Sequence, residues 1–356
     1  MGLPNIGKST LFNAMTRSSQ AKTGNFPFCT INANLAKVDV YDDRSRQLAK
    51  FTGAPLVYDV KVDLADVAGL IAGAHKGEGL GNKFLADIRP CTTILHMVRC
   101  FTNEREGFDV PDPLGSIATI EAELVLSDLE ALEKRVTKLM KTKKASDPDL
   151  DFSTRLKAHL EEGKPARDFK LSKGNEAFEK GIISEVGLLS TKPTLLVLNV
   201  DDASVAQGNK FSKLVEEKFG VENTVRVCSL IEEQTAQFDR EERLAFLDEY
   251  DIKEPSVDVL LRKVFAQLKL QSFFTVGPKM VKAWSIPQNT VTRDAAGEIH
   301  TDFKKYFHHA KVLSWDEFLK HKNLSQAEAA MRSVDGEEVM KDGDVFIVEH
   351  NTPGKK

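Results

Sequence analysis

The chain has 356 residues, 41% hydrophobic and 29% charged, and 49 Lys and Arg against 53 Asp and Glu leave a net charge of −4. That length accommodates two or three domains, and the near-balanced charge excludes a global attraction to nucleic acid, so any basic surface must be local. No apolar run approaches the roughly 18 residues of a membrane span. The four cysteines, Cys29, Cys91, Cys100 and Cys228, form neither a C-x-x-C pair nor a zinc spacing, which fits a reduced, cytoplasmic setting.

The first element is a loop. Gly2-Leu3-Pro4-Asn5-Ile6-Gly7-Lys8-Ser9-Thr10 is a complete G-x-x-x-x-G-K-S phosphate loop, so the chain is expected to bind a nucleoside triphosphate. Its glycines let backbone N–H groups turn inward onto a polyphosphate, and the helix that follows adds its positive end. Lys8 is expected on the β- and γ-phosphates, and the Ser9 hydroxyl on Mg²⁺. A phosphate loop is launched by a buried strand, and only Met1 precedes Gly2, so roughly twenty further residues are expected upstream.

After a helix from Thr10 to Thr16, the segment Asn25 to Thr30 reads as a loop around Pro27. Thr30 stands where a switch threonine would close over Mg²⁺ and the γ-phosphate. Leu56 to Val67 alternates apolar and polar residues, a single strand with one wet face, ending in Asp66-Val67-Ala68-Gly69. In that D-x-x-G, Asp66 can hold a Mg²⁺-bound water and the Gly69 amide can touch the γ-phosphate. Leu70 follows, where many switch GTPases carry the glutamine that orients the attacking water. Residues 73 to 81 hold four glycines in nine positions, suiting a segment ordered by nucleotide or a partner.

Thr93 to Val98 reads as a buried strand containing His96, either a core histidine or a catalytic one. Leu195 to Val200 is a second buried, central parallel strand. It ends in Asn199-Val200-Asp201-Asp202, where nucleotide-binding sheets present their base readers. Against the guanine reader N-K-x-D, Val200 replaces lysine while Asp202 keeps the carboxylate, so base identity is mixed at this point. Thr224 to Ser229 is the next strand and Ser256 to Leu268 a closing amphipathic helix.

Between those strands Val125, Leu129, Leu132, Val136 and Leu139 recur at 4-3-4-3 spacing, a short coiled-coil seam. A second helix through Leu156 and Leu160 makes this a helical hairpin. Its first helix ends in Lys134, Arg135, Lys138, Lys141, Lys143 and Lys144 with no acid among them, either a solvated face or a nucleic-acid contact. From about Gln271 short strands (Val281 to Ile286, Lys311 to Leu313, Val345 to Val348) and helices indicate a mixed α+β domain of roughly 85 residues. That domain lacks any aromatic and basic strand signature for single-stranded RNA, so it is expected to recognise shape or a protein surface.

The stretches GLPNIGKSTLFNA, NFPFCTI, DVAGL, GLGNKFLADIR, HMVRCF, TKPTLLVLNVDD and AAGEIHTDF together resemble the YchF subfamily of Obg-like ATPases over nearly the whole chain. The resemblance implies an α/β, Ras-like P-loop NTPase domain (1–115 and 185–271) whose first strand is missing. It also implies an inserted helical coiled-coil arm (116–184) and an α+β TGS domain of β-grasp fold (272–356). It implies a slow Mg²⁺-dependent ATPase that acts as a switch on the ribosome and modulates translation or stress response, a cytoplasmic monomer with no membrane contact. On the matching positions, Asn5, Ile6, Gly7, Lys8, Ser9 and Thr10 bind phosphate. Ser9, Thr30 and, through water, Asp66 serve Mg²⁺; Gly69 meets the γ-phosphate; Asn199, Val200 and Asp202 meet the base. Lys8 and His96 are the catalytic candidates, His96 because the family pairs a suspected histidine with a hydrophobic residue at the Leu70 position. Asp202 stands where relatives carry glutamate, which leaves room for guanine. Alternatives are a GTP-preferring switch, a non-hydrolysing scaffold and a metabolic phosphotransferase, although no second-substrate constellation supports the last. The hairpin's basic helix is the expected contact to the ribosome or structured RNA.

Overall fold

The computed structural model describes residues 1–18, 34–67, 87–102 and 110–350. The segments holding Thr30, Gly69, Leu70 and the glycine-rich 73–81 lie outside the described residues. In chain order the elements are α1 (Lys8–Ser18), β1 (Asn34–Val40), α2 (Asp43–Thr52), β2 (Leu56–Tyr58), β3 (Val60–Asp66) and β4 (Ile94–Arg99). Then come α3 (Pro113–Thr142), α4 (Pro148–Glu161), α5 (Glu176–Val186), β5 (Thr194–Asn199), α6 (Lys210–Phe219), β6 (Thr224–Val227), α7 (Ser229–Gln234), α8 (Arg240–Asp248) and α9 (Ser256–Gln267). The last stretch holds β7 (Leu270–Val276), β8 (Met280–Pro287), α10 (Thr292–Ile299), α11 (Thr301–Lys305), β9 (Phe307–Ser314), β10 (Arg332–Val334) and β11 (Asp344–His350). The chain divides into two compact units, 1–36 with 64–260, and 37–63 with 261–356.

In the first unit β4, β5 and β6 form a parallel sheet in that order. The near-continuous apolar runs of β4 and β5 reflect burial on both faces. Met1 lies beside β4: its amino group donates to Leu95 O at 2.7 Å and its carbonyl accepts from Met97 N at 2.9 Å. α3 starts on Pro113 behind an Asp112 cap and lays Ile117, Ile120 and Leu124 against the sheet. Beyond that point its seam turns to α4: Val125 and Leu132 pack with Phe152, Leu156 and Leu160, and Val136 and Leu139 with Leu150. Each such fully buried side chain contributes about 1.5–3 kcal/mol, and the heptad reading of this seam holds. Among the described residues no helix is long and apolar enough to cross a membrane.

The second unit carries a six-stranded sheet, order β10-β9-β11-β7-β8-β2. α10 supplies Ala295 and Ala296 to a core with Phe273, Ile286, Val312 and Phe346 on one face, while α2 packs on β7, β8 and β2. The strand read from Leu56 to Val67 divides at Asp59, and the cause lies outside that run. The Asp59 carboxylate is taken by Arg46 and approached by Ser45 Oγ at 3.5 Å. β2 then pairs in parallel with β8, and β3 pairs with β1. Arg44 bridges Asp42 and Asp342, and Asp342 accepts from Ser272 N at 2.9 Å, which ties the 37–63 segment to the C-terminal strands.

Candidate nucleotide site

The phosphate loop adopts backbone conformations that its residue types permit. Gly2 and Gly7 have φ of 149° and 91°, and Asn5, at 57°, occupies the left-handed region that asparagine tolerates. A Cβ on Gly7 would lie 2.5 Å from Asn199 Nδ2, and one on Gly2 would lie 2.5 Å from Met97 O. Both glycines are therefore required by close approach as well as by φ. The loop passes directly into α1, whose first turn closes with Leu11 N donating to Gly7 O at 3.0 Å.

Lys8 turns back over the loop and donates to Leu3 O at 2.7 Å. Partial burial lowers its pKa, and Asp66 acts in the opposite sense. Ser9 Oγ lies 3.3 Å from Asp66 Oδ2, so the last residue of β3 meets the first turn of α1. A hydroxyl and a carboxylate side by side, next to a phosphate cradle, make the hard oxygen set that Mg²⁺ prefers. The pairing of Ser9 with Asp66 therefore fits that ion.

Asn199 connects the loop to the strand ends. Its Nδ2 donates to Ile6 O at 2.9 Å, and its Oδ1 accepts from Ser229 N and Ser229 Oγ, each at 3.1 Å. Ser229, at the start of α7 just beyond β6, was not singled out from the sequence. The available signal was a small hydroxyl residue where a parallel strand opens into a helix at the carboxyl edge of the sheet.

The other expected residues are placed less uniformly. Val200 is buried among Val98, Leu198, Val205 and Cys228, so its side chain faces the core. Asp202 is exposed and accepts from its neighbour Ala203 N at 2.8 Å. Met97 Cε stands 3.4 Å from the position of a Gly7 Cβ, so Met97 faces the loop. Strand neighbours alternate; His96 thus shares the opposite face with Ile94 and Val98, which pack on α3. Burial, followed by the Met1 ammonium, pushes the His96 imidazole down to about 3. The structure does not bring His96 to Lys8 and Ser9.

Two family models match the chain: one described as a 50S ribosome-binding GTPase over residues 1–142, and YchF-GTPase_C, described as a protein of unknown function, over residues 270–351. The Ribosome-binding ATPase YchF of Bacillus subtilis is 36% identical over 99% of this chain and 98% of its own length. That of Escherichia coli O157:H7 is 38% identical over 97% and 96%. The chain belongs to the YchF family of P-loop NTPases. A solved YchF structure from Schizosaccharomyces pombe, described as a GTPase, superposes with a TM-score of 0.79 at 28% identity, covering 98% of this chain and 96% of that one. The YchF architecture is thus a P-loop GTPase-like domain joined to a YchF C-terminal domain, mixed α/β throughout.

Of the six basic residues from Lys134 to Lys144, Arg135 and Lys143 are paired with acids. Arg135 is held by Asp149 at 2.7 Å and by Glu185 at 3.0 Å, and Lys143 pairs with Asp147 at 3.3 Å. The acids come from α4, its leading turn and α5, which the local sequence around Lys134–Lys144 does not contain. Lys134, Lys138, Lys141 and Lys144 remain exposed.

Proposed function

We propose that this chain is a slow, Mg²⁺-dependent ATPase that serves as a cytoplasmic, monomeric, ribosome-associated switch. The observation that carries the reading is the pairing of Ser9 with Asp66 at 3.3 Å beside a phosphate loop held by Asn199. On this reading the N–H groups from Asn5 to Thr10 and the Lys8 ammonium bind and orient the polyphosphate, Lys8 exchanging Leu3 O for phosphate oxygens. Ser9 and Thr30 and, through water, Asp66 would hold Mg²⁺, which would neutralise developing charge on the phosphate oxygens. A leucine side chain at position 70 has no group to hydrogen-bond a water, so turnover without a partner stays slow, and the Gly69 amide would meet the γ-phosphate. His96 we read as a core residue of β4 rather than a catalyst.

Adenine is favoured because the position that carries lysine in N-K-x-D is here a valine turned into the core. Exposed Asp202 keeps a guanine reading in play, and the related proteins themselves are described as ATPases in bacteria and as a GTPase in fission yeast. Competition titration of a labelled nucleotide decides this: ATP is expected several-fold tighter than GTP, and a GTP advantage would overturn the adenine reading. Single-turnover hydrolysis without ribosomes is expected below ~10⁻² per second, rising with ribosomes; no hydrolysis under either condition would make the chain a scaffold. The hairpin (116–184) we read as an inserted coiled-coil arm meeting the ribosome or structured RNA. Residues 272–356 we read as a TGS domain of β-grasp fold, with 1–115 and 185–271 as the nucleotide domain.

A further inference from the structure

One surface of the second unit is assembled from two distant stretches of chain. β2 lies in parallel register on β8, Leu56 opposite Met280 and Tyr58 opposite Lys282. β8 in turn pairs with β7, Lys282 opposite Thr275 and Trp284 opposite Phe273. Side chains alternate along a strand and opposed residues share a face. Val281 and Ala283 are buried, while Met280, Lys282 and Trp284 point to the other side with Leu56 and Tyr58.

At the β9–β11–β7 end that side is sealed by α10 and α11 over Phe273, Ile286 and Phe346. At the β8–β2 edge the cover stops: Leu56 is 48% exposed, Tyr58 45% and Met280 44%. Lys282 Nζ stands 3.5 Å above the centroid of the Trp284 ring, and Trp284 Nε1 donates to Thr275 Oγ1 at 3.0 Å. The lysine is therefore placed rather than loose. Neither Lys282 nor exposed Lys279 meets a carboxylate among the described residues, and the neighbouring Asp59 is engaged by Arg46. Tyr58 and the Leu56–Met280 strip thus share one sheet face with Lys282, exposed Lys279 directly precedes β8, and among the described residues no carboxylate meets either lysine.

We propose that this edge binds unpaired RNA: a base stacks on Tyr58 and the Leu56–Met280 strip, and Lys279 and Lys282 take the flanking phosphates. Stacking is sequence-tolerant because every base has a π-face, and the lysines select an anionic backbone over a neutral ligand. Tyr58 comes from a strand more than 200 residues upstream of Met280, so these residues are not adjacent in the sequence.

The test is fluorescence anisotropy of labelled decauridylate on the full chain across salt concentrations, with an RNA duplex and a decaglutamate peptide as the other probes. Decauridylate should bind tighter than either. Tyr58→Ser should weaken it roughly tenfold and Tyr58→Phe should restore it. Lys282→Met should flatten the salt slope by about 0.7. ATP affinity should be unchanged in all three variants, which confirms folding. Replacing Lys134, Lys138 and Lys141 by Glu should leave decauridylate binding as in the parent chain. Unaltered binding by Tyr58→Ser, equal binding of duplex or decaglutamate, or loss of binding in the arm variant would each overturn the proposal.

Discussion

Asn199→Asp isolates a single hydrogen bond at the junction of loop and sheet. The replacement has nearly the same shape and keeps an oxygen to accept from Ser229 N and Ser229 Oγ, both at 3.1 Å. What it loses is the donor to Ile6 O at 2.9 Å, putting a carboxylate oxygen against a buried carbonyl. An unsatisfied buried acceptor costs about 1–3 kcal/mol, and more where a charged group is involved, so the competent loop conformation should be disfavoured by about 2–3 kcal/mol. Apparent affinity falls with the population of the competent state, which predicts MgATP binding weakened about 30- to 150-fold. Ser229→Ala, which removes one of the two donors to Asn199 Oδ1 and spares the other, should cost about 1 kcal/mol, roughly fivefold. Isothermal titration with MgATP measures both. If Asn199→Asp binds within roughly threefold of the parent chain, Asn199 does not organise the loop and the reasoning fails.

Ser9→Ala should abolish the Mg²⁺ dependence of ATP affinity while leaving a weaker metal-free component, read by titration with and without EDTA. The folded pKa of His96, about 3, lies below the ordinary 6.5, so the unfolded chain takes up the proton first and stability is lost as pH falls from about 6.5 toward 3. At a limiting slope of about 1.4 kcal/mol per pH unit, halved at pH 6.5 itself, denaturant unfolding at pH 6.5 and 5 should show the parent chain losing roughly 1–2 kcal/mol more than His96→Leu. Single-turnover hydrolysis by that variant should match the parent; a large loss would restore the catalytic reading. Charge reversal at Lys134, Lys138, Lys141 and Lys144 should weaken ribosome co-sedimentation and flatten its salt dependence by about 0.7–0.9 per lost phosphate contact, with ATP affinity unchanged. Normal co-sedimentation at every salt concentration would make the helix face merely solvated.

Features with a local cause were legible in the sequence. The phosphate loop follows from residue types at contiguous positions, and Gly2, Asn5 and Gly7 take the φ values those types permit. The hairpin seam follows from a period, and Leu132, Val136 and Leu139 are buried where that period places them. The apolar run of β5 predicted a buried central parallel strand, and its parallel register between β4 and β6 bears this out.

Only the tertiary structure decided features whose cause lies elsewhere in the chain. Alternation from Leu56 to Val67 cannot reveal that Arg46 holds Asp59, nor that β2 and β3 then pair in different sheets. Charge counting along α3 could not anticipate that Asp149 and Glu185 neutralise Arg135, because those acids arrive by packing. Position after a strand marked Asn199 as a base reader, yet its partners are Ile6 of the phosphate loop and Ser229 at the start of α7, 193 and 30 residues away. Whether His96 faced the phosphate loop or α3 depended on strand parity relative to Met97 and Gly7. Sequence period specifies that faces alternate but not which neighbour each face meets, and that neighbour is chosen by long-range pairing.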